Sequence, residues 1–262
     1  MTSKINKIAI IGSGNLATNL AINLSNKDFD IVQIYSRNIE NAIELAKQTN
    51  SEPISDLALL TKQADLYIVA VSDSAISEVV SKINIKNKLV VHTSGSVSVN
   101  VFGNKFENFG IFYSLQTFSK STIVDFNNIP ILIEANNIQN LNNLTNLARC
   151  LSNTVRVISS EDRQKIHIAA VFANNFTNHM YSLSQQYLES NNLDIELLKP
   201  LIIETAHKIL DNNPKDIQTG PARRNDKITI EKHIEMLKNK PEFQKLYSFV
   251  SESILNFYKS DK

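Results

Sequence analysis

The chain has 262 residues, more than one domain of ~100 to 200 residues usually holds, so two domains are expected. Its 27 Lys and Arg stand against 26 Asp and Glu, a formal charge of +1. No excess charge is present to draw it onto nucleic acid or an anionic membrane, which points to a small-molecule substrate. The single cysteine, Cys150, excludes an internal disulfide framework and, without Cys or His at ligand spacing, argues against structural zinc. It reads as helix packing, since free cysteine behaves as a small hydrophobe.

Met1-Thr2-Ser3-Lys4 leads straight into the first strand, leaving no room for the charged and apolar regions of a signal peptide, so a cytoplasmic location is expected. Short apolar runs then alternate with helical patterns up to residue 158, the signature of parallel βα units. Strands are predicted near residues 5–11, 31–36, 66–71, 88–92, 109–114, 129–134 and 154–158. Helices are predicted near 15–25, 38–48, 73–82 and 137–151. Leu66-Tyr67-Ile68-Val69-Ala70-Val71 is nearly continuous in apolar residues, as a strand covered on both faces should be. From Ser160 onward only helical periodicity remains. The expectation is a doubly wound α/β domain over 1–158 and an all-helical domain over 159–262.

The first strand runs into Gly12-Ser13-Gly14-Asn15-Leu16-Ala17, a Gly-x-Gly-x-x-Ala turn. Gly12 suits the tight turn, Gly14 lets backbone approach a pyrophosphate, and Ala17 lets the helix lie on the strand. The helix N-terminus, with Asn15 and Leu16, would present N–H groups to phosphate. About 20 residues on, where an acidic residue would bind the ribose of NAD, stand Ser36-Arg37-Asn38. Arg37 can pair with a 2′-phosphate and its neighbours add neutral donors, so NADP is favoured over NAD. Val71 and Ser72 close the edge of the same site.

His92-Thr93-Ser94-Gly95-Ser96 ends another strand at the ligand-binding edge, where Ser94 could contact substrate and the backbone could border the nicotinamide. His92 reads rather as a bonded strand residue. The stretch from Ile166 to Leu188 contains no Asp, Glu, Lys or Arg, which implies cover on most sides. At 100° per residue, Ile166, Ala169, Ala173, Phe176, Met180, Leu183 and Tyr187 form one stripe and His167, Val171, Asn174, Asn178 and Gln185 the other. The polar stripe would face either a cleft beside the first domain or an interface. This much Asn, Gln and His excludes a membrane span. Gly220-Pro221-Ala222-Arg223-Arg224-Asn225-Asp226 is a compact loop able to hold a carboxylate or phosphate, or else a surface ion-pair cluster. His207 and His233 read as helix-surface residues, and no metal spacing is found.

The glycine turn, His92–Ser96, Leu115-Gln116-Thr117-Phe118-Ser119, the His167–Asn178 helix and the Gly220–Asp226 loop together resemble the Rossmann-like and DUF2520 domain-containing proteins, labelled NADP oxidoreductases of the coenzyme F420-dependent type. The resemblance covers essentially the whole chain. It implies an NADP-binding first domain, a second domain like those of 6-phosphogluconate dehydrogenase relatives, and a homodimer formed through it. The Lys that β-hydroxyacid dehydrogenases carry four residues before an interdomain Asn is missing: Ala170 and Val171 precede Asn174 and Asn175 at that spacing. The expected activity is hydride transfer to or from a C=O or C=N carbon of a small anionic substrate. Arg223 or Arg224 would hold the anion, and His167, supported by Asn175 or Asn178, would move the proton. An imine reductase like pyrroline-5-carboxylate reductase, and a non-catalytic NADP-binding sensor or scaffold, are the alternatives. A flavin or F420 hydride partner is allowed by the family label alone.

Overall fold

The computed structural model describes residues 5–259; the N-terminal segment read above as leaderless, Met1–Lys4, lies outside the described residues. Eight strands form one sheet: β1 Lys7–Ile11, β2 Asp30–Tyr35, β3 Glu52–Ile54, β4 Leu66–Val69, β5 Leu89–His92, β6 Asn108–Ser114, β7 Ile131–Ala135 and β8 Val155–Val157, in the order β3-β2-β1-β4-β5-β6-β7-β8. The helices α1 Asn15–Ser25, α2 Ile39–Thr49, α3 Asp73–Lys82 and α4 Ile138–Leu151 lie within a residue of the predicted positions. One face of the sheet, with Ile8, Ile10 and Ile68, packs under Leu20 and Leu24 of α1, Leu45 of α2 and Leu147 of α4. The other face, with Ile11, Tyr67 and Val69, packs under Ile76 and Val80 of α3 and under Phe102. This two-sided cover is why the strands read as unbroken apolar runs.

Two features were not in the sequence pattern. β3 is a three-residue strand at the edge of the sheet that contains Pro53, and an edge is where a strand tolerates a missing N–H. β7 runs antiparallel to β6, with Ile111 opposite Glu134, so the parallel units expected throughout are interrupted once. The connection over 115–130 holds only a short 3-10 turn, Phe126–Asn128, and lacks the helical crossover by which a parallel strand usually returns. Backbones approach closely here. A Cβ on Gly110 of β6 would lie 2.4 Å from the Glu134 carbonyl oxygen and 3.0 Å from a Leu144 methyl.

The chain divides into two compact units, Met1–Ala173 and Asn174–Lys262, later than the division expected at 158/159. The difference is helix α5, Ser160–Ala170, whose hydrogen bonds go to the sheet and its loops. A π-helical stretch, Val171–Phe176, follows it. The second unit contains α6 Thr177–Glu189, a 3-10 turn Ile195–Leu198, α7 Lys199–Asp211, α8 Pro221–Arg224, α9 Lys227–Met236 and α10 Pro241–Lys259. The cover expected for the charge-free stretch is absent in the single chain, where Ile168, Phe172 and Phe176 are exposed. The π turn also shifts the helical register, so a wheel drawn at 100° per residue does not hold through Val171–Phe176. Cys150 is likewise exposed, not packed, with its thiol 3.3 Å from the Asn146 carbonyl of its own helix.

Gly110→Ala forces a methyl against strand β7 and helix α4, and should destabilise the first unit by about 1–3 kcal/mol. Urea denaturation reads this as a lower midpoint at unchanged slope; an unchanged midpoint would mean that the β6–β7 pair separates at little cost.

Candidate active site

Strands β1 and β4 are neighbours from which the chain winds outward in opposite directions, and their carboxyl ends border the edge where ligands of such sheets bind. Gly12, at φ +135°, turns the chain off β1; a Cβ there would sit 2.1 Å from the Ala70 carbonyl oxygen at the end of β4. Gly14 is glycine for a different reason, since a Cβ would meet nothing within 4 Å. Helices α2, α4 and α5 begin with side-chain caps from Asn38, Asn137 and Ser159, whereas α1 at Gly14 and α3 at Ser72 have none. The two uncapped helices therefore start beside the carboxyl ends of β1 and β4. The first-turn N–H groups of α1, at Asn15 and Leu16, are of the kind that receive a phosphate.

The Ser13 hydroxyl donates to the Ser36 hydroxyl at 2.8 Å, tying the glycine turn to the end of β2. Ser36 is buried and Arg37 exposed beside it. Asn38 accepts the Glu40 N–H at 3.0 Å and so starts α2, which leaves only its amide nitrogen for the donor role expected of it. Half-buried Val71 lies 3.5 Å from the position of a Gly12 Cβ, and Ser72 is exposed next to it.

A second cluster forms after β5. Ser94 is buried, and its hydroxyl oxygen accepts the N–H groups of Ser96 and Val97, both at 3.0 Å. It shapes the turn, which limits it as a substrate ligand. Gly95 is the point of closest approach: a Cβ there would lie 2.5 Å from His167 Nδ1 and 2.8 Å from Tyr113 Cζ. The Tyr113 hydroxyl and His167 Nδ1 are 3.1 Å apart. Burial, with the Asp73 carboxylate adding to it, raises the Tyr113 pKa, so the phenol keeps its proton at neutral pH. Asp73, in the first turn of α3, accepts a hydrogen bond from the Ser96 hydroxyl and so joins the two clusters.

Arg163 holds this arrangement. Its side chain is 1% exposed. Nη1 donates to Glu134 Oε2 of β7 at 2.8 Å, and Nη2 donates to the Val97 carbonyl. The same Glu134 oxygen accepts the Ser160 hydroxyl at 2.6 Å, while Ser160 Oγ accepts the Val99 N–H at 2.9 Å. Gln164 donates to the Ser96 carbonyl at 2.7 Å. Helix α5 is thus bonded to both the loop and β7, one turn before His167. Neither Tyr113 nor Arg163 was among the expected site residues. Tyr113 reads as one more strand aromatic, and Arg163 as a surface charge in an acidic first turn.

His92 is a different kind of histidine. It is fully buried, stacked on Phe102 at 5.6 Å, and its Nδ1 accepts the Ser94 N–H at 3.2 Å. Burial, reinforced by nearby Arg163, pushes its pKa down to about 4, so it is neutral and structural.

Asn175, Asn178, Arg223 and Arg224 all belong to the second unit and are exposed. The Arg223 guanidinium lies over the Tyr258 ring at 4.2 Å, which occupies one face of it. Asp226 caps α9, accepting the Thr229 N–H at 3.1 Å and hydroxyl at 2.7 Å, bonds that hold its carboxyl below the usual range. His233 is half-buried and 2.8 Å from the Tyr247 hydroxyl. Among the described residues, no group of His, Cys, Asp and Glu could hold a metal, and no helix is long and apolar enough to cross a membrane.

Residues 7–95 match the family described as NADP oxidoreductase, coenzyme F420-dependent, and residues 129–254 match a domain of unknown function, DUF2520. A Bacteroides fragilis protein described as a candidate NADP oxidoreductase is 44% identical, over 96% of this chain and 98% of its own, with a TM-score of 0.90. The chain belongs to the DUF2520 family of NADP oxidoreductases. A Thermotoga maritima protein at 23% identity, covering 97% of this chain and 99% of its own, has a TM-score of 0.72. A pyrroline-5-carboxylate reductase from Streptococcus pyogenes at 15% identity covers 97% and 98%, with a TM-score of 0.60; both show the shared fold. A search of curated proteins gives no significant match. In this NADP oxidoreductase the uncapped α1, the cradle at Gly12 and Arg37 beside Ser36 fit the nucleotide that the family name implies.

Two measurements test the site's framework. Arg163→Ala leaves Glu134 without its cation and should cost about 3 kcal/mol in urea denaturation; a loss below about 1 kcal/mol would make the pair incidental. For His92 the folded pKa is depressed below 6.5, so the unfolded chain takes up the proton first. Its contribution is complete above pH 6.5 and is lost as pH falls toward 4, by up to about 3 kcal/mol. His92→Asn should flatten the stability profile in that window, and a profile as steep as that of the wild type would contradict the assignment.

Proposed function

We propose that this chain transfers hydride between NADP and a C=O or C=N carbon of a small anionic substrate, with the chemistry at the Gly95 turn. The observation that carries the reading is the contact of Gly95, Tyr113 and His167 at the carboxyl edge of the sheet, joined through Ser96 and Asp73 to the start of α3. When bound, NADPH supplies a hydride. The chain's own residues do the rest. Gly12, Gly14, Ser13 and the first turn of α1 receive the diphosphate, and Ser36 and Arg37 the 2′-phosphate. The Tyr113 hydroxyl oxygen accepts from His167 Nδ1–H, which leaves Nε2 as the nitrogen that gives up the proton from the imidazolium and takes it back on the neutral ring. His167 is then the general acid for reduction and the base for the reverse reaction. This arrangement supplies the proton that the missing Lys supplies in β-hydroxyacid dehydrogenases.

In the second unit, Arg224 is the cation proposed for the substrate anion, because Arg223 already lies on Tyr258. Asn175 and Asn178 are proposed as amide ligands. The exposed apolar residues of this unit support the expected homodimer, and the single cysteine suits a cytoplasmic chain. Nothing in the residues around Gly95 marks a second site for F420 or a flavin.

Fluorescence titration should show tighter binding of NADPH than of NADH, and Arg37→Ala should weaken NADPH alone, by about 10- to 100-fold. Equal affinity for both nucleotides, or an unchanged Kd in the variant, would remove the NADP assignment. On a panel of carbonyl and cyclic imine substrates, His167→Asn should lower kcat by about 100-fold or more without moving the NADPH Kd. Full turnover of imines by that variant would instead identify an imine reductase without a dedicated acid, and tight NADPH binding with no turnover a sensor.

A further inference from the structure

The connection that leaves the carboxyl end of β6 begins Leu115-Gln116-Thr117-Phe118-Ser119 and runs over 115–130 with little regular structure, a length that compact domains usually reserve for function. Its path is fixed. Leu115 packs with Tyr113 and Ile166 on one face of the sheet, and three residues later Phe118 packs on the other, stacked on buried Phe126 at 5.5 Å. The chain therefore crosses over the end of β6 between these two anchors. Fully buried Asn19 of α1 clamps the far side: its Nδ2 donates to the Ser119 carbonyl at 2.8 Å and its Oδ1 accepts the Val124 N–H at 2.9 Å. Gln116 and Thr117 stand exposed at the crossing.

The chain bounds how far this crossing lies from the reacting groups. A Cβ on Gly95 would lie 2.8 Å from Tyr113 Cζ, and Gln116 is three residues beyond Tyr113, at most ~10 Å of extended chain. Strands β5 and β6 are parallel neighbours, so the Gly95 turn and the crossing stand side by side at one edge. The chemistry of the pair is one-sided. Gln116 Oε1 accepts the Thr117 N–H at 2.8 Å, which leaves the Gln116 amide only its NH2 group, and this meets no acceptor among the described residues. Thr117 adds a hydroxyl. We propose that Gln116 and Thr117 are substrate ligands that hold a carboxylate beside the Gly95 turn and so set the enzyme's substrate class. The inference rests on the hydride-transfer reading above and narrows its anion. Neutral donors suit a carboxylate, with one negative charge spread over two acceptor oxygens, whereas a phosphate dianion calls for cations at close range. Arg224 remains the cation proposed for the same group.

The test is steady-state reduction by NADPH-saturated protein of a panel of small 2-oxo and cyclic 2-imino carboxylates, each set beside its carboxamide. The wild type should prefer the carboxylates. Gln116→Leu, close in size but without donors, should raise KM for the carboxylate by about 10- to 100-fold, leave KM for the carboxamide unchanged and alter kcat little. Thr117→Val should act in the same direction, by about 3- to 10-fold. The NADPH Kd should stay at the wild-type value in both variants, which separates a lost ligand from a disturbed fold. A Gln116→Leu protein with wild-type KM and wild-type preference overturns the substrate role and leaves the hydride-transfer reading standing. A rise in the NADPH Kd that matches the rise in KM also overturns it, since the loop would then serve α1. A wild-type protein that binds NADPH and reduces no member of the panel overturns the hydride-transfer reading and this inference with it.

Discussion

A guanidinium that is 1% exposed would be ruinous to the fold without partners, and the arrangement of the candidate site follows from how Arg163 is partnered. Glu134 can reach it because β7 turns back antiparallel beside β6, setting Glu134 opposite Ile111. The second guanidinium nitrogen takes the Val97 carbonyl, so the turn after β5 is fixed by the same side chain. Burial lowers the pKa of Arg163 while Glu134 opposes that shift, and the cation survives through its ion pair. Helix α5 starts from this anchor, and one turn later His167 arrives against Gly95 and Tyr113. A reversed strand, a buried ion pair and a glycine with no room for a methyl thus form one chain of cause.

The helix ends divide the first unit into fixed and receptive parts. Asn38, Asn137 and Ser159 satisfy the N-termini of α2, α4 and α5 within the chain. At α1 and α3 no side chain does so, and both face the edge where the strand order reverses. The N–H groups left there are orphans of the kind that a phosphate can satisfy. The electrostatics of the site is thereby a matter of backbone more than of charge, in keeping with a chain of net charge +1.

Much of this was legible in the sequence because it depends on local pattern. The glycine turn, the apolar strands and the starts of α1 to α4 are set by residues within a few positions of one another. Ser36 and Arg37 follow from their distance past the turn. What was not legible depends on pairing across the chain. The reversal of β7 shows only as a missing helix over 115–130, and β3 hides behind Pro53. Arg163 and Tyr113 owe their roles to Glu134 and Gly95, residues far away in the chain. The π turn at Val171–Phe176 leaves no mark that a regular wheel detects, and it takes Asn174 off the stripe that regular geometry assigns it. The charge-free helix was expected to be covered on most sides because it lacks a charged face, and Ile168, Phe172 and Phe176 are exposed in the single chain.

The most direct test of the central claim is a crystal structure of the protein with NADP bound. The 2′-phosphate is expected on Ser36 and Arg37, the diphosphate at the first turn of α1, and the nicotinamide beside Ser94 and Gly95 with His167 in reach of its reactive face. A nucleotide seated at the glycine turn with its nicotinamide directed away from Gly95 and His167 would contradict it.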